Sequence, residues 1–249
     1  NNFAVTAGTL TNTEDCASNI FATINPLNYQ LSGCTLANGN TSLTSTGGDA
    51  WRTFYGTIAG SSGKFYWEQK VNSYSGSSHY IGISDIDESR NVNTNDFENG
   101  GVSAYCYRAD GGKVTSVSGS TVLTAGVGAS FTTNDIIGIA MDLDNQKIYF
   151  SKNGTWQNSG DPTSGATGTG AVSISDPDNT IIGSYLFAFG CRHNDGVTWQ
   201  TNFGNGVFGS TPLTGTTYSD TASLGIFKYE VPAGYYSLCT KNINEQEYA

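Results

Sequence analysis

Apolar and polar positions alternate along most of this chain. Lys64-Phe65-Tyr66-Trp67-Glu68-Gln69-Lys70-Val71 places Phe65, Trp67 and Val71 on one face and Lys64, Glu68 and Lys70 on the other. That period of two predicts a half-buried antiparallel strand with its charged face in water. Trp51 to Ile58, His79 to Ser84, Gly101 to Tyr107, Thr180 to Ile182, Tyr185 to Gly190 and Val197 to Phe203 read as further strands. The clearest unit is Asp135 to Lys152, in which Ile137, Ile139, Met141 and Leu143 share a face before Asp144-Asn145-Gln146, and Ile148 and Phe150 share one after it. Asn and Asp tolerate the left-handed backbone of a tight turn, so this is a β-hairpin, with a second turn at Asn153-Gly154. Residues 154–171 are rich in Gly, Ser and Thr and are expected to form a long exposed loop, while residues 1–50 are polar and turn-rich. Many short strands with frequent turns predict an all-β sandwich or barrel.

Composition agrees with that picture. Of 249 residues, 32 are Gly, 14 Tyr and 12 Phe, and only 13% are charged, against about 25% in an ordinary globular protein. Helix formers are scarce and strand formers abundant, which argues against a helical bundle. The net charge of −10 rests on only 11 Lys and Arg. A nucleic-acid binder must neutralise phosphates with basic side chains, and an acidic surface repels anionic lipid, so neither partner is expected. No apolar run approaches a membrane span, and no leader segment is visible. The chain opens at Asn1 rather than Met, as expected of a processed product or an excerpt of a longer polypeptide.

Candidate chemistry is sparse. Cys16, Cys34, Cys106, Cys191 and Cys239 are odd in number and widely spaced, which suits isolated buried thiols or a single Cys16–Cys34 disulfide, not a zinc site. Asp142 with Asp144 and Asp85 with Asp87 are the nearest approaches to a paired-carboxylate glycosidase site. The first pair sits at a hairpin turn, where carboxylates serve backbone hydrogen bonds. No nucleophile–base motif accompanies either pair, so no catalytic residue and no cofactor are assigned. Asp85 and Asp87 also put hard oxygen ligands close together, but they lack the full spacing of a calcium loop and read as a solvated turn. Recognition through loops is the better expectation. The loops 72–79, 85–100, 107–113, 154–171 and 191–197 carry Tyr74, His79, Arg90, Tyr107, Arg108, Trp156, Arg192 and His193. Aromatic and Arg side chains are the usual anchors of polar binding surfaces. Trp51, Trp67 and Trp199 lie in alternating strands and are expected in the core, whereas Trp156 follows a turn and has no such explanation.

The segments GKFYWEQKV (63–71), YIGIS (80–84), DIIGIAMDLDNQKIYFSKNG (135–154), YLFAFG (185–190) and TWQTNFG (198–204) resemble, in order and spacing, the SPRY family. The resemblance implies a concanavalin-like bent sandwich of two antiparallel sheets with long loops, and a non-enzymatic module whose loops bind a partner. The flanks FATINPLNYQLSGCTLANGN (21–40) and FKYEVPAGYYSLCTKNI (227–243) are similar to those of SPRY-containing structural proteins of tailed bacteriophages, such as tail-fibre and other virion-surface proteins. This implies a virion-surface, extracellular module that binds host-surface glycan or protein, or neighbouring virion proteins, and that is compatible with a homo-oligomer. The alternatives are a secreted or cell-surface carbohydrate-binding lectin-like module and, third, an intracellular SPRY adaptor. Residues 1–45 are expected to pack on or complete the sandwich formed by residues 46–249.

Overall fold

Strands form where the period-two alternation is strongest, and the computed structural model describes them over residues 19–27, 33–45, 50–73, 79–86, 103–117, 120–124, 128–193 and 197–247, with only the backbone described at 50, 51, 192, 193 and 247. In chain order they are β1 (Cys34–Ala37), β2 (Ser42–Ser45), β3 (Ala50–Gly60), β4 (Lys64–Ser73), β5 (His79–Ser84) and β6 (Ala104–Arg108). β7 (Lys113–Val117), β8 (Ser120–Thr124), β9 (Ile136–Asp142), β10 (Lys147–Lys152), β11 (Thr155–Trp156) and β12 (Val172–Ser173) follow. The series closes with β13 (Tyr185–His193), β14 (Val197–Asn202), β15 (Val207–Phe208), β16 (Thr211–Pro212), β17 (Tyr236–Ser237) and helix α1 (Thr240–Glu247). Among the described residues one sheet runs β1-β2-β14-β4-β9-β10-β11, with β12 added on β10 and β17 on β4; a second runs β3-β13-β5-β6-β7-β8. The expected sandwich of two antiparallel sheets is present, and the short pairing of β17 with β4 is parallel.

The central core lies between the sheets. Phe65, Trp67 and Val71 of β4 face Phe187 and Phe189 of β13, with the Trp67 ring edge-on to Phe187 at 5.7 Å. Trp67 and Trp199 are fully buried. Two strand glycines are set by close approach of a neighbour, backbone at Gly82 and side chains at Gly138. A Cβ on Gly82 of β5 would stand 2.0 Å from the Tyr105 carbonyl oxygen, and one on Gly138 of β9 would stand 2.7 Å from the Tyr66 hydroxyl.

The outer face of β4 is not in water. Tyr66 and Glu68 on that face are both fully buried. β14 pairs with β4 from Ser73 back to Glu68, and β17 takes up the same edge at Phe65 and Tyr66. Between the two strands the chain passes over the outer face and lays Phe227, Val231 and Tyr235 against Tyr66, Ala140 and Tyr149. The expected solvated face is therefore a second apolar layer, because the closing segment supplies a cover that local alternation cannot reveal. Asp220 fastens this segment: its carboxylate accepts from Leu224 N (2.7 Å), Ser237 N (2.7 Å), Ser237 Oγ (2.6 Å) and Asn242 Nδ2 (2.9 Å).

Two local expectations are corrected. Thr180 to Ile182 is no strand: Asp176 caps a 3-10 turn at Pro177–Asn179, and exposed Ile181 and Ile182 follow in a turn. Proline at the first helical position is pre-set for such a turn. Residues 154–171 do not form a loose loop. They hold β11 and 3-10 turns at Gln157–Ser159 and Pro162–Thr167, with Pro162 buried and the Asp161 side chain capping the second turn at Thr163 N. Cys106, Cys191 and Cys239 are buried free thiols, and the Cys34 thiol donates to Ser45 Oγ at 3.3 Å; Cys16 lies outside the described residues.

Candidate recognition groove

Of the eight candidate binding residues, four have described side chains (His79, Tyr107, Arg108 and Trp156), and these four do not share one surface. Tyr74 and Arg90 lie outside the described residues, as does Asp87. Arg192 and His193 end β13, where their backbones pair with Trp51 and Ala50. His79 begins β5 with no exposed surface, its ring 5.4 Å from that of Trp199. Tyr107 is likewise buried, stacked on Phe150 at 5.6 Å, with its hydroxyl donating to the Ala129 carbonyl. Burial, together with the charge of Asp135, pushes that phenol up to about 12. Neither side chain reaches the loop surface on which it was expected, because each sits at a strand terminus and points inward. Arg108 pairs with Asp110 at 2.9 Å and lies over the Tyr80 ring, which accounts for it locally. Asp85, read as part of a solvated turn, is buried and accepts from Ser103 N (2.8 Å) and Ile181 N (3.2 Å).

Carboxylates weighed for catalysis are also committed to structure. Asp142 is buried, pairs with Lys64 Nζ at 2.9 Å and accepts from Asn145 N; Asp144 accepts from Gly63 N at 2.7 Å. Among the described residues no three His, Cys, Asp or Glu are grouped to hold a metal ion, and no helix is long and apolar enough to cross a membrane.

Trp156 is the exception. It lines an open groove of ≈ 910 Å³ between the segment after the Asp135–Lys152 hairpin (153–163) and the closing segment (216–233). A volume of this order suits a ligand of several hundred daltons. Both walls are tied down. On one, Trp156 is half-buried and edge-on to Tyr66 at 6.5 Å, and the carbonyl of buried Pro162 accepts from Tyr235 Oη at 3.1 Å. The Thr163 hydroxyl and amide donate to Asp161 and hold its carboxyl below the usual range. On the other wall the backbone of Lys228 and Tyr229 is held from behind by Glu68. Glu68 Oε1 accepts from Tyr229 N (2.8 Å) and Tyr66 Oη (3.3 Å), and Oε2 from Lys228 N (2.9 Å) and Asn202 Nδ2 (3.1 Å). Burial pushes the Glu68 carboxyl up to about 7 against the pull of these four donors. The walls touch at Gly154, whose φ of +82° suits glycine; a Cβ there would stand 2.6 Å from Tyr229 Cδ1. A side chain would meet both the backbone penalty and the ring.

The groove rim offers side-chain groups with no protein partner among the described residues: the indole N–H of Trp156, the hydroxyls of Tyr218 and Tyr229, and the Glu230 carboxylate. Of these residues only Trp156 was legible, as the one tryptophan without a strand to explain it. Tyr218, Tyr229 and Glu230 lie in an irregular segment with no period, and position 68 looked solvated.

A family model for the SPRY domain matches residues 64–204. Among solved structures, the SPRY domain of human HERC1 is 17% identical, aligning 72% of this chain with 96% of its own at a TM-score of 0.47. The PSpry domain of TRIM65 is 16% identical over 73% of this chain and 90% of its own, with a TM-score of 0.48. A human SPRY domain is 14% identical over 68% and 94%, with a TM-score of 0.44. No curated protein matches the chain.

Proposed function

The chain belongs to the SPRY-domain family, generally protein-interaction modules, and we propose that it is a non-catalytic recognition module on the surface of a bacteriophage virion. In this reading it is part of a tail fibre or a decoration of capsid or tail. It acts outside the cell by gripping host-surface glycan or protein, or neighbouring virion proteins. The observation that carries a recognition role is the groove itself: its walls are anchored by hydrogen bonds to buried groups, yet its rim presents indole, phenol and carboxylate groups that hydrogen-bond to no other described residue. Preorganised walls lower the ordering cost of binding. The virion placement is supported by the flanks, above all Pro232-Ala233-Gly234-Tyr235 through Leu238-Cys239-Thr240-Lys241-Asn242, which resembles the closing segment of phage structural proteins. Mass spectrometry of purified particles from the source tests it. The protein is expected in stoichiometric amount, and its absence from particles would overturn the virion placement.

A further inference from the structure

Building on the recognition role proposed above, we infer that the groove between residues 153–163 and 216–233 binds a neutral oligosaccharide. Its lining sets the ligand class. Trp156, Tyr218 and Tyr229 present aromatic surface, which suits the apolar C–H faces of sugar rings. The partnerless donors and acceptors beside them suit hydroxyls, which both donate and accept. Among the described residues Glu230 and the second oxygen of Asp161 accept from no donor, and the Lys228 ammonium, which donates to the Thr214 carbonyl at 3.1 Å, keeps two further N–H groups. With two carboxylates against the single Lys228 ammonium in the groove and a net charge of −10 on the chain, an acidic ligand is disfavoured.

An extended peptide fits less well. It gains affinity by adding a strand to an open sheet edge, but the edge strand at the groove, Thr155–Trp156, has only two residues. The walls beyond it are 3-10 turns and irregular chain whose amides are largely committed, such as Asp161 N to Thr169 O and Gly160 N to Gln157 O. What remains is a set of separate side-chain groups, which matches discrete hydroxyls and not a continuous backbone. One wall lies inside the residues matched by the family model and the other beyond them. The site is therefore a feature of this chain's closing segment.

The test uses the full chain and a panel of neutral hexasaccharides of glucose, galactose, mannose and N-acetylglucosamine, with sialylated and sulfated oligosaccharides as acidic probes. At least one neutral probe is expected to bind saturably and to change tryptophan fluorescence, since Trp156 is half-exposed while Trp67 and Trp199 are buried. Tyr218 and Glu230 are exposed, so Tyr218→Ala and Glu230→Ala should melt like the parent. They should weaken binding about 10-fold and about 3-fold, respectively. Trp156→Ala should abolish the fluorescence change. No binding to any neutral probe, binding confined to acidic ones, or binding indifferent to all three substitutions would each overturn the inference. Attachment of the labelled protein to host cells that survives these substitutions would sink the groove assignment and leave the recognition role standing. Absence of both attachment and virion association would sink that role as well.

Discussion

Replacing Glu68 by Gln should remove a pH dependence of stability from this protein. The folded carboxyl is raised from 4.5 to about 7, with burial as the main cause. Between those values the folded state keeps a proton that the unfolded chain has released, so stability falls as pH rises through the window. The stabilising contribution is complete below 4.5 and is lost through about 7; its size is roughly 3 kcal/mol. Tyr66, Asn202 and the amides of Lys228 and Tyr229, which face the carboxyl, do not change charge between pH 5 and 8. A Gln at this position does not titrate, so its profile should lack this component. It also carries a fixed cost. Its amide nitrogen must oppose Lys228 N or Tyr229 N, and Asn202 cannot rotate to help, because its Oδ1 already accepts from Gly204 N and Gly206 N. One unpaired amide costs about 1–3 kcal/mol. Urea denaturation at pH 5, 6, 7 and 8, followed by fluorescence of buried Trp67 and Trp199, gives the difference directly. The parent should lose its advantage over E68Q by roughly 3 kcal/mol as pH rises, most of it before pH 7. Parallel pH profiles, or an advantage that grows with pH, would refute the reasoning.

Asp220→Ala removes the acceptor of Leu224 N, Ser237 N and Ser237 Oγ and one of the three acceptors of Asn242 Nδ2, and should cost about 2–4 kcal/mol as charge-assisted bonds are lost and buried amides are left unpaired. Hydrogen exchange should speed most over residues 236–247, and uniform acceleration across both sheets would count against a local fastening role. Gly82→Ala drives a Cβ into the backbone of β6 and should cost at least about 3 kcal/mol. Gly56→Ala, whose Cβ would meet Phe187 Cβ at 3.4 Å, should cost no more than about 1 kcal/mol. Equal melting temperatures for the two variants would show that the strand spacing has been misjudged.

Alternation made most of the sandwich legible, because a strand with one covered face repeats every two residues. The Asp135–Lys152 hairpin announced itself through both its period and its turn residues, and β9 and β10 pair from Ile137 with Lys152 to Asp142 with Lys147. Glu68 shows where that logic stops. Its polar alternation implies water, yet the cover arrives from residues 228 and 229, 160 positions further along. His79 and Tyr107 show a finer limit: at a strand end, a shift of one residue decides whether a side chain points to the core or to solvent. The groove was half visible, through Trp156; its other wall is irregular chain with no period to read. Residues 154–171 looked loose by composition, but an Asp cap and a buried proline order them.

The residues matched by the family model end at 204, but the folding unit of this chain extends beyond them. A protein cut after Gly204 would keep β4, β9 and β10 but would uncover Tyr66, Ala140 and Tyr149 and strip Glu68 of two of its four donors. It would lose the burial of Phe227, Val231 and Tyr235, each worth roughly 1.5–3 kcal/mol. It would also lose Leu238 and Cys239 from the central core and the pairing of β17 with β4. Those losses rival the roughly 5–15 kcal/mol that holds a whole domain together. The truncated chain should therefore show no cooperative melt and should bind a hydrophobic dye at temperatures where the full chain does not. A cooperative transition within about 5 °C of the full chain would mean that the closing segment merely rests on a finished sandwich. The groove would then be an attachment to the fold and not part of it.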